Sequence, residues 1–209
     1  MSPAGEALDR LRQGNARFAS GLRSIDALVS PLRRDALVAG QAPFAVILGC
    51  SDSRVPVELV FDQGFGDLFV IRVAGNIVSP SQVGSVEFAA ERYGTRLVVV
   101  LGHTGCGAVQ ATLEALQRPE GEGSANLRSI VDRIRPSVEE LLVTGLRDDS
   151  EALARAAVRA NVRVSAGELR HGSALLERLI RREGLVVVGA EYSLASGLVE
   201  FFDGAPDAG

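Results

Sequence analysis

The sequence predicts an α/β protein on a mostly parallel central sheet: four parallel strands plus an antiparallel C-terminal edge strand, flanked by helices. Three observations carry that prediction. Four short apolar runs, FAVILG (44–49), LFVIRVAG (68–75), LVVVLG (97–102) and LVVVGA (185–190), are rich in β-branched residues and carry glycine at or beside their ends. Their hydrophobicity is continuous rather than alternating, as in strands covered on both faces. Helical patterns separate them, at 83–94, at 108–117 and across 127–182. That alternation is what crossovers between parallel strands require.

The chain opens with MSPAGEALDRLRQGNARF, where Leu8, Leu11 and Phe18 form an apolar stripe on a helix over about 6–18. Such a stripe must pack on something. It suits the chain's own sheet or, as an N-terminal helical arm over about 1–35, a partner; both stay open. Acids stand early in this segment and it lacks the apolar core of a secretion signal, so the expectation is a cytoplasmic protein. At 209 residues the chain is long enough for one domain, 1–209, with a core of its own.

The stretch QRPEGEGSAN (117–126) reads as a loop, broken by proline and glycine. The last segment, SGLVEFFDG (196–204), alternates in polarity after a turn and supplies the edge strand. No window approaches the ~18 apolar residues of a membrane-spanning helix. A net charge of −4 gives no basic field for nucleic acid or an anionic membrane surface.

Ligands of open parallel sheets bind beyond the carboxyl ends of the strands. Cys50 directly follows the first run; His103 follows the third, with Cys106 three residues on. The chain has two cysteines and two histidines, so three of these four residues stand past strand ends. Cysteine and histidine together suit Zn²⁺, and three protein ligands leave a fourth tetrahedral position open, as at catalytic sites. His171, the remaining histidine, lies in a helical region. Gly105 and Gly107 flank Cys106 and permit a tight turn back toward His103. A helix beginning near Ala108 would then point its N-terminus at the thiolate.

Asp52 and Arg54, two residues apart, place their side chains on the same side of an extended or turning segment. As a surface ion pair they would contribute little. Beside an open metal position, Arg54 would hold Asp52 ready to accept a hydrogen bond from metal-bound water, or to ligate the metal itself.

CSDSR followed by HTGC resembles the β-class carbonic anhydrases. The similarity extends through VPVELVFDQGFGDLFVIRVAGN (55–76), VGSVEFAAERYGTRLVVVLGHTGCGAV (83–109) and GLVVVGAEYSLASGLVEFF (184–202), which together cover most of the chain. The resemblance implies one Zn²⁺ per chain on Cys50, His103 and Cys106, with Asp52 and Arg54 as the dyad. Asp52 is then a conditional fourth ligand in a closed state. It implies reversible hydration of CO₂ to bicarbonate and a proton, by attack of zinc-bound hydroxide in an apolar cleft. Gln41 corresponds to a hydrogen-bond donor to substrate oxygen, and Phe69, Ala74 and Phe88 to the apolar wall. In the family these walls come partly from a neighbouring subunit, so a homodimer or homotetramer is expected. Some members bind bicarbonate with a tryptophan three residues before the first cysteine; Ile47 stands there, and a pocket of that type is not expected. Carbon disulfide and carbonyl sulfide hydrolases resemble the same family and share its ligands.

Overall fold

A computed structural model describes residues 2–22, 31–117 and 124–205. Residues 118–123 of the expected loop and 23–30 of the expected arm lie outside the described residues. Helix α1 (Pro3–Ala19) starts where Ser2 accepts a hydrogen bond from the Gly5 N–H and Pro3 presets the first turn. Its Ala4, Ala7, Leu8 and Leu11 are buried in a cluster with sheet residues. The apolar stripe left open by the sequence thus covers the chain's own sheet.

After α2 (Pro31–Ala36) come β1 (Ala45–Gly49), a short helix α3 (Val57–Val60) and β2 (Leu68–Arg72). A 3-10 turn, Ala74–Asn76, leads to α4 (Pro80–Arg92) and β3 (Leu97–His103). Helices α5 (Gly107–Gln117) and α6 (Ala125–Val138) follow, then two 3-10 turns, Glu139–Val143 and Gly145–Asp148. The long helix α7 (Ser150–His171), α8 (Ala174–Glu183), β4 (Val186–Tyr192) and β5 (Val199–Asp203) complete the chain. All five expected strands form. The second is shorter than its apolar run: it stops at Arg72 because Gly75 (φ +71°) and Asn76 (φ +44°) adopt left-handed backbone that cannot continue a strand.

The sheet order is β2-β1-β3-β4-β5, parallel through β4 and antiparallel at β5. From β1 the chain first steps to one side, to β2, and then crosses to the other, to β3. The crevice between the ends of β1 and β3 is therefore the topological switch point. Alternate strand residues face opposite layers. Ile47, Val99 and Leu101 meet α1 and α3; Val46, Leu48, Val98 and Val100 meet α4, α7 and α8.

Helix α7 lies close against the sheet because two strand residues lack side chains. A Cβ on Gly102 would come 2.5 Å from Val162 Cγ2, and one on Gly189 would come 2.8 Å from Val162 Cγ1. Val162 occupies the space that both glycines leave.

Candidate metal centre

Cys50 leaves the end of β1, His103 is the last residue of β3, and Cys106 immediately precedes α5. All three are buried, and their ligand atoms lie within 4.8 Å of one another. They are the one such His/Cys/Asp/Glu group found among the described residues. The two Sγ atoms are 4.0 Å apart, against ~3.8 Å for two thiolates at 2.3 Å from one tetrahedral Zn²⁺. The turn carrying Cys106 bends at Gly105, whose φ of +65° is left-handed.

His103 Nδ1 lies 3.0 Å from the Thr104 carbonyl. A carbonyl only accepts, so Nδ1 carries the hydrogen and Nε2 presents a lone pair. That Nε2 is buried with no hydrogen-bond partner. An orphaned imidazole nitrogen aimed at two thiols fits a borderline-soft cation such as Zn²⁺. The electrostatics agree. Cys50 is pulled down to about 4, first by the Cys106 thiol, with His103 and the Gly75 N–H helping and burial opposing. Cys106 is pushed up by the Cys50 sulfur and by burial, while the Val109 and Ala108 N–H groups at the start of α5 favour its thiolate. His103 is raised, the neighbouring Cys50 sulfur outweighing burial. Such a site attracts a cation.

Asp52 and Arg54 are joined as expected. Arg54 Nε donates to Oδ1 at 2.9 Å, Nη2 to Oδ2 at 2.7 Å, and the Arg54 N–H to Oδ1 at 2.9 Å. These bonds hold the Asp52 carboxyl well below the usual carboxylate range, against partial burial. Its Oδ2 is 3.8 Å from His103 Nε2. Arg54 also donates to the Gly105 carbonyl at 3.2 Å, tying the dyad to the Cys106 turn.

Two supports escaped the sequence reading. Arg72, ending β2, donates to the Cys50 carbonyl at 3.0 Å and to the Asp52 carbonyl at 2.6 Å, clamping the loop between first cysteine and dyad. Asn161 on α7 donates to the Gly75 carbonyl at 2.8 Å. A polar residue inside a strand or helix advertises neither pairing. The only sequence signal was the arginine inside the second apolar run; nothing in the sequence marks Asn161.

The expected substrate residues divide. Ala74 begins the 3-10 turn whose next residue, Gly75, donates to Cys50 Sγ at 3.4 Å. Gln41, Phe69 and Phe88 gather elsewhere, around Tyr93. Gln41 Nε2 donates to the Tyr93 hydroxyl at 3.0 Å, and the rings of Phe69, Phe88 and Tyr93 stand 5.7–6.3 Å apart. Phe69 pairs with Val46, four residues before Cys50, or about 13 Å back along the strand. Phe88 is 52% exposed. This cluster does not line the chain's own metal centre. His171 ends α7, exposed, about 15 Å along the helix axis from Asn161.

Fold and site thus describe an α/β protein with a buried three-donor Cys/His set at its switch point, able to hold a metal. Comparison with known proteins carries this further. The family model described as carbonic anhydrase matches residues 45–199. A carbonic anhydrase of Mycolicibacterium smegmatis is 39% identical over 200 residues, covering 95% of this chain and 93% of that protein. Carbonic anhydrase 2 of Mycobacterium tuberculosis is 40% identical over 187 residues, covering 90% and 87%. Among solved structures, the β-carbonic anhydrase CafA of Aspergillus fumigatus aligns with a TM-score of 0.73 at 28% identity, covering 96% of this chain and 91% of that one. Two tetrameric β-carbonic anhydrases of Sordaria macrospora are represented by a chain with a TM-score of 0.70 at 26% identity, covering 83% and 87%. The chain belongs to the carbonic anhydrase family, in its β class, whose reaction is the hydration of CO₂.

Proposed function

We propose that the protein is a zinc-dependent carbonic anhydrase, with Cys50, His103 and Cys106 holding one Zn²⁺ per chain. The observation that carries this reading is the unpartnered, buried His103 Nε2 facing two thiols 4.0 Å apart. Bound zinc would supply a Lewis acid that brings the pKa of a water into the working range.

The chain's own groups do the rest. Asp52, kept ionised by Arg54, is an obligate hydrogen-bond acceptor next to His103 Nε2. It orients the attacking oxygen by accepting that oxygen's hydrogen, leaving a lone pair directed at CO₂. Arg54 and Arg72 fix the loop so that this acceptor does not wander. The same carboxylate can close the site as a fourth ligand by giving up Arg54, a reading its 3.8 Å separation from His103 Nε2 supports.

Gln41, Phe69 and Phe88 complete the cleft of a neighbouring copy, giving CO₂ an apolar wall and one amide donor beside that copy's Ala74. The exposed Phe88 ring and the distance of this cluster from its own Cys50 support that arrangement. The assembly is a homodimer or homotetramer; the tetrameric relatives of Sordaria macrospora support the larger form. The two free cysteines fit a reducing compartment, the cytoplasm, where both remain available as ligands.

Metal analysis joined to stopped-flow CO₂ hydration tests the proposal. One zinc per chain is expected, with activity rising from about pH 6.5 to about 9, because two thiolates offset the charge that acidifies water. Asp52→Ala should fold, keep zinc and lose about a hundredfold or more in kcat. Wild-type activity in that zinc-loaded variant would remove the role given to Asp52.

A further inference from the structure

Asn161 is 1% exposed, midway along α7, and its Nδ2 donates to the Gly75 carbonyl across 86 residues of sequence. Gly75 in turn directs its N–H at Cys50 Sγ, 3.4 Å away. The N–H and C=O of Gly75 lie in successive peptide planes, joined at a residue with no side chain to stiffen it. Nothing within Gly75 fixes one plane relative to the other, so its N–H is held in place only if the turn is anchored from outside. A second wall completes the restraint: a Cβ built on Gly75 would lie 2.7 Å from Ile134 Cδ1 of α6 and 3.2 Å from Ala108 Cβ of α5. The turn is confined by packing on one side and by one buried amide on the other.

We propose that Asn161 is a positioning residue for the metal centre: through Gly75, it holds an N–H donor against the sulfur of Cys50. The inference rests on reading Cys50 as a metal ligand. An N–H bond draws charge from a thiolate, so a sulfur held in this way donates less to its cation. In a site with two thiolates, that leaves the cation more electrophilic than the ligands alone allow. Partners of ligands tune metal sites in this manner and also help retain the metal.

The test uses the full chain loaded with ¹¹³Cd²⁺ or Co²⁺ as spectroscopic probes. In the wild type, the Gly75 amide proton should show scalar coupling to ¹¹³Cd through the N–H···S bond. In Asn161→Ala and Asn161→Leu that coupling should weaken or vanish, and the sulfur-to-cobalt charge-transfer band should move to longer wavelength. Zinc loss to a chelator should be about tenfold faster. Ser165→Ala, a buried polar change one turn further along the same helix, should leave coupling and band as in the wild type. Failure of the wild type to take up either probe would overturn the metal-site reading itself. Metal uptake with no coupling at Gly75, or a folded Asn161 variant with the wild-type band, would overturn the role of Asn161 alone. If neither of these variants folds, Asn161→Asp carries the test: lacking the Nδ2–H donor, it should show the weakened coupling and the shifted band, and wild-type values in it would overturn the role of Asn161.

Discussion

Replacing Asn15 with alanine should loosen the protein far more than one exposed-helix substitution would. Asn15 is 4% exposed on α1 and its amide is fully engaged. Nδ2 donates to the Val60 carbonyl at 3.1 Å and to the Gly197 carbonyl at 2.9 Å; Oδ1 accepts from the Val199 N–H at 2.8 Å. The helix is thereby fastened to the end of α3 and to the turn between β4 and β5. Asn15→Ala deletes three bonds, each contributing about 1 kcal/mol net, and strands two carbonyls and an N–H where water has little access. The expected loss is about 2–4 kcal/mol, or a fall in Tm of roughly 5–15 °C for a chain of this size. Urea unfolding followed by circular dichroism, at one protein concentration and equal metal content, measures it. The consequence reaches the site, because that turn carries Leu194, whose N–H donates to Thr104 Oγ1 beside His103. A loss below about 1 kcal/mol would refute the reasoning, since it would mean that these three groups find water in place of Asn15.

Gly102→Ala should cost about 1–3 kcal/mol, its Cβ falling 2.5 Å from Val162 Cγ2. Adding Val162→Ala should recover part of that, visible as a favourable coupling above about 0.5 kcal/mol in a double-mutant cycle. Glu191 has its carboxyl raised by burial, only partly offset by Arg159. Its folded value lies above its unfolded one, so its contribution to stability is greatest below pH 4.5 and declines as pH rises through the folded value. Unfolding free energies of wild type and Glu191→Gln, compared from pH 4.5 to 7, should therefore drift in favour of the variant. In metal-free protein, iodoacetamide should label one thiol of the Cys50–Cys106 pair quickly and the second slowly, because the two sulfurs share a proton and ionise one before the other. Peptide mass mapping over a time course reads the order.

The strands were legible because a buried parallel strand needs an unbroken apolar run and little else. Legible too were the groups placed by those strands: Cys50 and His103 sit where β1 and β3 end, and Cys106 is held near by a turn. Asp52 and Arg54 could be paired from sequence because their bond spans only two residues. What depends on distant chain was hidden. The end of β2 at Arg72 is set by left-handed backbone at Gly75 and Asn76, which an apolar run does not encode. The long region 127–182 divides into three helices and two 3-10 turns, although its apolar pattern runs through much of it. The gathering of Gln41 with Phe69, Phe88 and Tyr93 is a tertiary event, and their separation from Cys50 emerges only once strand register is known.

The two side-chain-free positions beneath α7 set a length standard for the molecule. With Gly102 and Gly189 in place, the helix axis stands close enough that the single methylene of asparagine spans from α7 to the Gly75 turn. A methyl group at either glycine meets Val162 first, so the helix moves outward and strains the Asn161 bond unless that side chain is trimmed. Position 161 and the two glycines are thus parts of one gauge. A relative that fills either gap would need a smaller residue at position 162, or a longer amide at position 161, so these positions are expected to vary together.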